Sequence, residues 1–235
     1  VTYGIGEGRA TVWGCRVRRT PRGVAVWVYG KMRRHLPLSG VHNASSAMAA
    51  VSVALALGVA TKEIRRGLRS VKLPGMRLEL CRMSDVPVLL DCYNANPESL
   101  AAASAELVAR GGDRRKILVL GDMRELGPRA DAMHRDCGRR LAREVDVLWC
   151  VGGEARASYD AAVDAGMHPD QVFWSPDVES AVREQAVTFG PDDFVLFKAS
   201  RGMALEQMAE SLLGESAQEG SAASGASAPS GQRVS

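Results

Sequence analysis

VPVLLDCYNANPESL, residues 86–100, begins as five residues with apolar side chains on both faces and stops in a knot of hydrogen-bonding groups. A short run that is apolar on both sides is the pattern of a strand buried between two layers. Pro97 after Asn96 then reads as a helix start, because a proline at the first helical position loses no hydrogen bond. Asp91 closes the strand with a carboxylate that no turn requires and that suits a pair of hydroxyls such as a ribose diol. Asn94 and Asn96 add donors and acceptors, and Asn96 either caps the helix or meets a ligand.

The same unit recurs downstream. KILVLGD precedes a helical pattern at 131–144, VDVLWCVGG one at 154–165, QVFW one at 177–187, and DFVLFKAS one at 203–213, as helix 97–109 follows VPVLLD. Doubly apolar strands alternating with helices predict an α/β fold, a Rossmann-like parallel sheet wound with helices on both faces. Functional groups then belong at the carboxyl ends of the strands. The polar clusters fall there: Asp91 to Asn96, Gly121 to Gly127, Gly152-Gly153, and Lys198 to Arg201. In VLGDMRELG, Asp122 and Glu125 are placed to meet a cation or an ammonium group, with Gly127 turning the loop. In FKASRGMALE, two cations and a hydroxyl, Lys198, Arg201 and Ser200, stand before a helix N-terminus, a combination suited to a carboxylate or phosphate.

Upstream the pattern differs. Residues 1–38 alternate like a β-meander or a pair of hairpins, with GIGEGRA as a hairpin turn. SGVHNASSAMAAVSVALALG then switches to a helix that is apolar all round, predicting burial on most faces. Asn43 or Ser45 is available as its N-cap and Gly58 as its stop. Thr61 reads as the cap of a shorter helix that turns Ile64 and Leu68 inward. Pro74-Gly75 is the strongest boundary signal. The chain opens on Val1, as though mid-domain, and residues 214–235, rich in Ser, Ala and Gly, predict a disordered tail.

Composition narrows the classes of function. Thirty basic against 27 acidic residues give +3, and aromatics are 5%, so charge supplies no argument for nucleic acid. The longest apolar run, AMAAVSVALALGVA, is too short for a membrane span. Five cysteines without a CxxC pair favour reduced thiols in a cytoplasm and no metal site. A GxxxxGK[ST] phosphate loop and a GxSxG elbow are both absent, and His134 and His168 lack ligand-spaced partners.

In order, GVHN…AA…ALALGV, LPGMRLEL, DCYNANPES, VLGDMRELG, the His134…Cys137-Gly138 pair and KASRGM resemble the Mur ligase family. YNANP followed by GDMRELG is the specific part and points to the branch that adds a dipeptide. The resemblance implies that residues 1–75 end a central ATPase domain and that 76–213 form the C-terminal domain. It implies an ATP-dependent ligation through an acyl phosphate, joining D-alanyl-D-alanine to UDP-N-acetylmuramoyl-tripeptide in a cytoplasmic monomer. Mg²⁺ would be held mainly by the family's other parts, so this stretch alone is expected to be inactive. By resemblance, His42, Asn43, Ser46, Arg77 and Asp91 face ATP. Tyr93, Asn94, Asn96, Asp122, Glu125, Lys198, Ser200 and Arg201 would shape the substrate side. Ser46 stands where the family usually has Asn, and Ala199 where it has Gly, an awkward exchange if that backbone needs a positive φ. Another amino-acid-adding member of the family and a truncated, non-catalytic binding module are the alternatives.

Overall fold

The computed structural model describes residues 2–5, 12–20, 23–28, 32–36, 43–71 and 75–214. His42 and the tail from 215 onward therefore lie outside the described residues. The amino-terminal strands are β1 (Tyr3–Ile5), β2 (Val12–Thr20), β3 (Gly23–Val28) and β4 (Met32–Leu36). β2, β3 and β4 form the expected antiparallel meander, whereas β1 pairs with β2 in parallel, Tyr3 opposite Val12. The hairpin expected at GIGEGRA falls largely outside the described residues, and the strands on either side of it pair in parallel. Alternation marks which face a residue takes and carries no strand direction.

Two helices follow, α1 (Asn43–Ala56) and α2 (Thr61–Ser70). α1 packs Ala44, Ala47, Met48 and Val51 against Val24, Val26 and Leu36 of the sheet. Its opposite face is exposed, Val53 by 60% and Leu57, just past its end, by 77%, so burial on most faces does not hold. Among the described residues only one side of this helix meets a sheet. Ile64 and Leu68 of α2 point inward as expected, but Thr61 is not the cap. Ala60 holds the extended cap position, so Thr61 is already helical and its hydroxyl arrives one residue late.

The larger sheet contains β5 (Glu79–Met83), β6 (Val86–Asp91), β7 (Arg115–Gly121), β8 (Val147–Val151), β9 (Val172–Ser175) and β10 (Asp193–Lys198). Their spatial order is β5-β6-β10-β7-β8-β9; β5 is antiparallel and the rest are parallel. Helices α3 (Pro97–Gly111), α4 (Ala130–Leu141) and α5 (Arg156–Asp164) cover one face, α6 (Val178–Glu184) and α7 (Leu205–Leu213) the other. Alternation along each strand sorts the core: Leu89, Leu118, Leu120 and Leu196 face α3–α5, while Val88, Val119 and Phe197 face α6 and α7. This is the α/β sheet the sequence implies. Its carboxyl edge carries Asp91, Gly121, Val151 and Lys198 at the ends of four neighbouring strands. Among the described residues, no helix is long and apolar enough to cross a membrane.

Candidate functional site

A cavity of about 330 Å³ opens at the carboxyl ends of β6 and β10, lined by Asn43 and Ser46 of α1, Arg77, Asp91, Asn94, Asn96 and Lys198. Leu78, with Glu98, Ser99 and Ala102 on the first turns of α3, completes the wall. The expected nucleotide-side residues Asn43, Ser46, Arg77 and Asp91 thus share one space with three residues expected on the substrate side.

Asp91 and Lys198 are register partners on adjacent parallel strands and share a face. Lys198 Nζ lies 2.7 Å from Asp91 Oδ2 and donates to the Asn94 carbonyl at 2.7 Å, and its side chain is fully buried. Burial pushes its ammonium below the ordinary lysine range, against the pull of Asp91. Asp91 Oδ1 accepts the Leu78 N–H at 3.3 Å. Each carboxylate oxygen has two lone pairs, so Asp91 keeps capacity for hydroxyl donors. The charge of Lys198 is already matched inside the protein, which makes it an organiser of the site before it is a ligand for an incoming carboxylate.

Asn96 is the N-cap of α3: its side-chain oxygen accepts from Ser99 N at 2.8 Å, and Ser99 Oγ accepts from Asn96 N at 3.1 Å. The cap reading therefore holds, and the capped helix start still faces the cavity, where its positive end suits an anion. Arg77 sits between Met76 and Leu78, both at positive φ, and its guanidinium stacks 4.1 Å from the centroid of Tyr93. Two bulky residues in the left-handed region make a costly turn, held here by Met76 N–H on Glu79 Oε2 at 2.8 Å and Tyr93 N–H on the Met76 carbonyl. It presents a flat, exposed cation at the cavity rim.

The remaining candidates gather one strand over, between β10 and β7. Ser200 N–H donates to the Asp122 carbonyl at 3.1 Å, and Arg124 N–H donates to Ser200 Oγ at 2.9 Å, so Ser200 ties the two loops together. Asp122 Oδ1 accepts from Ala155 N at 2.8 Å, ahead of α5. Glu125 is exposed at φ 67°, and Arg201 pairs with Glu206. Ala199 is fully buried and is not at positive φ, so the expected strain does not arise. The space it needs comes from Gly121, where an added Cβ would stand 2.7 Å from that of Ala199.

The sequence reading missed Glu98, Ser99 and Arg124. A first-turn position after an N-cap was the available signal for the first two; Arg124 enters through its backbone, which leaves no side-chain signature. Among the described residues, no group of three or more His, Cys, Asp or Glu is placed to hold a metal ion.

Residues 76–201 match the family model described as Mur ligase, glutamate ligase domain. The chain belongs to the Mur ligase family. This Mur ligase chain is 35% identical over 183 residues to the UDP-N-acetylmuramoyl-tripeptide--D-alanyl-D-alanine ligase of Bacillus subtilis, covering 76% of this chain and 39% of that protein. It is 37% identical over 188 residues to the ligase of the same name from Treponema pallidum, covering 80% and 40%. The crystal structure of MurF from Acinetobacter baumannii superimposes with a TM-score of 0.76 at 29% identity, over 90% of this chain and 46% of that one. The chain thus spans about two fifths of the length of the curated relatives it matches. The matched segment holds all six strands of the larger sheet, together with Arg77, Asp91, Lys198 and both loops joined by Ser200.

Proposed function

We propose that this chain is the carboxyl-terminal portion of a Mur ligase that adds D-alanyl-D-alanine to UDP-N-acetylmuramoyl-tripeptide, with residues 1–75 closing a central domain and 76–213 forming the last one. The observation that carries the reading is the joint lining of one cavity by Asn43, Ser46, Arg77, Asp91 and the capped start of α3. That set fits a nucleoside phosphate. Asn43 offers an amide to a heterocycle, Asp91 accepts from a ribose diol, and Arg77 with the positive end of α3 receives phosphate oxygens.

ATP, with Mg²⁺ held mainly by other parts of the ligase, would supply the phosphoryl group that activates the tripeptide carboxylate as an acyl phosphate, with ADP leaving. This chain's own work is binding and orientation. Lys198 fixes Asp91 and the Asn94 carbonyl, and the Ser200-linked loops carrying Asp122, Glu125 and Arg201 form the side on which the dipeptide rests. A polar floor preset by internal hydrogen bonds needs little rearrangement when charge develops. The setting is cytoplasmic, with the protein acting as a monomer.

The test is an amide-shift titration of the chain with D-alanyl-D-alanine, with single amino acids, and with ATP. Supporting results are dipeptide-specific shifts at 122–125 and 200–201 and nucleotide shifts at 77, 91, 94–96 and 98. Equal responses to D-alanine or D-glutamate would remove the dipeptide assignment.

A further inference from the structure

The His134…Gly138 pair has no part in the cavity, yet the two residues lie one turn apart on one face of α4 and both meet α5. A Cβ on Gly138 would collide with the Ser158 backbone carbonyl, so only glycine permits this approach of the helices. The approach brings Ser158 Oγ to 2.8 Å from the His134 carbonyl, to which it donates, and to 3.1 Å from His134 Nδ1. Its single proton is committed to the carbonyl, so Nδ1 must carry the proton in the second contact. On the other side of the ring, Met123 N–H donates to Nε2 at 3.2 Å, which requires a lone pair there. Both contacts select one form, the neutral imidazole protonated at Nδ1.

Met123 lies between Asp122 and Arg124, whose backbone groups are bonded to Ser200. The 122–125 loop is therefore gripped from two directions, by Ser200 from β10 and by His134 from α4. We propose that His134 is a positioning residue whose neutral ring clamps the 122–125 loop to α4, and that protonation of this ring opens the clamp by placing a hydrogen on Nε2 against the Met123 N–H. The charged groups facing the ring are Asp122 on the loop, Glu154 ahead of α5, with Oε2 3.7 Å from Nε2, and Asp131 on its own helix; α5 presents only the Ser158 hydroxyl. Burial holds the imidazole below its ordinary value, against those carboxylates, so the clamp is closed at neutral pH. Upon protonation Glu154 is the group in reach of the new N–H. The role of this loop on the dipeptide side rests on the function proposed above; the clamp itself does not.

The test is ¹⁵N and amide NMR of the 235-residue chain between neutral and mildly acidic pH, with His134→Gln and His134→Leu. The expected result is a single Nδ1–H tautomer, with the amides of Met123, Arg124 and Ser200 moving together at the midpoint of His134 while Asn94 and Asn96 do not. Gln keeps an acceptor that cannot take a proton, so it should remove that step with the fold intact. Leu should speed exchange of the Met123 amide about tenfold relative to Gln, the loss of roughly one neutral hydrogen bond. An Nε2–H tautomer, loop amides that still step in His134→Gln, a loop indifferent to His134 protonation, or unfolding before the ring titrates would each overturn the clamp. Added D-alanyl-D-alanine should shift the loop amides at neutral pH. Absence of that response, with the clamp titrating as described, would sink the dipeptide reading alone.

Discussion

Lys198 and Asp91 face each other across neighbouring parallel strands, paired in register, with Nζ and Oδ2 2.7 Å apart and the lysine closed off from solvent. A buried ion pair adds little net stability over a well-packed apolar pair, but removing one partner strands the other. Asp91→Ala should cost about 3 to 5 kcal/mol in urea denaturation. Asp91→Ala combined with Lys198→Met should recover a large part of that loss. Additive single losses would mean that the pair is not coupled.

Asn96 does two jobs that one substitution can separate. Asn96→Ala should lose about 1 kcal/mol of stability through the α3 cap, and Asn96→Ser should retain most of it. If both weaken nucleotide binding equally while only Ala destabilises, the amide also touches ligand. If affinity follows stability, the residue acts through the helix start.

Gly138 sets the distance between α4 and α5. Gly138→Ala should destabilise by about 1 to 3 kcal/mol through overpacking against Ser158, measured by thermal unfolding. Gly153→Ala, with open space around the added methyl and no positive φ, is the matched control and should be close to neutral. Equal effects would show that the crossing tolerates the methyl.

Stability should depend on pH through His134. Its folded value is lowered, so the unfolded chain binds more protons across the window between that value and about 6.5. Stability from this group is fully present above about 6.5 and declines as pH falls through that window. His134→Gln should flatten this part of the curve. A wild-type slope of the opposite sign would exclude a depressed imidazole.

Cys92, Cys137 and Cys150 are free and buried, and Cys81 is buried as well. Burial, reinforced by Glu206, pushes the Cys92 thiol up to about 12, and burial raises Cys137 and Cys150 as well. Since the thiolate is the reactive form, iodoacetamide at pH 8 should leave these four unlabelled until denaturant is added. Peptide mapping that finds Cys92 labelled in the native chain would contradict its burial.

The larger sheet was legible because its information is local. VPVLLD, KILVLGD and DFVLFKAS each state their own burial, and Asn96-Pro97 states its own helix start. The strand-end rule then placed Asp91 and Lys198 at one edge without any knowledge of strand order. What stayed hidden is what arises between segments. Nothing in FKASRGM tells that Lys198 faces Asp91, since β10 is 107 positions downstream of it and sits beside β6 only through the strand order. The parallel pairing of β1 escaped for the same reason. The room that Ala199 occupies was hidden too, because the glycine that makes it, Gly121, lies on another strand.

The position of β10 also bears on how the protein is made. β6 and β7 leave the ribosome first, yet neither has its central neighbour until residues 193–198 have been synthesised. During that interval two apolar strands present open edges, the surface on which chains associate wrongly. The strand that fills the gap brings Lys198 to Asp91. Completion of the sheet and assembly of the pocket floor are therefore a single late event in the life of the nascent chain, and a product released before Lys198 would lack both.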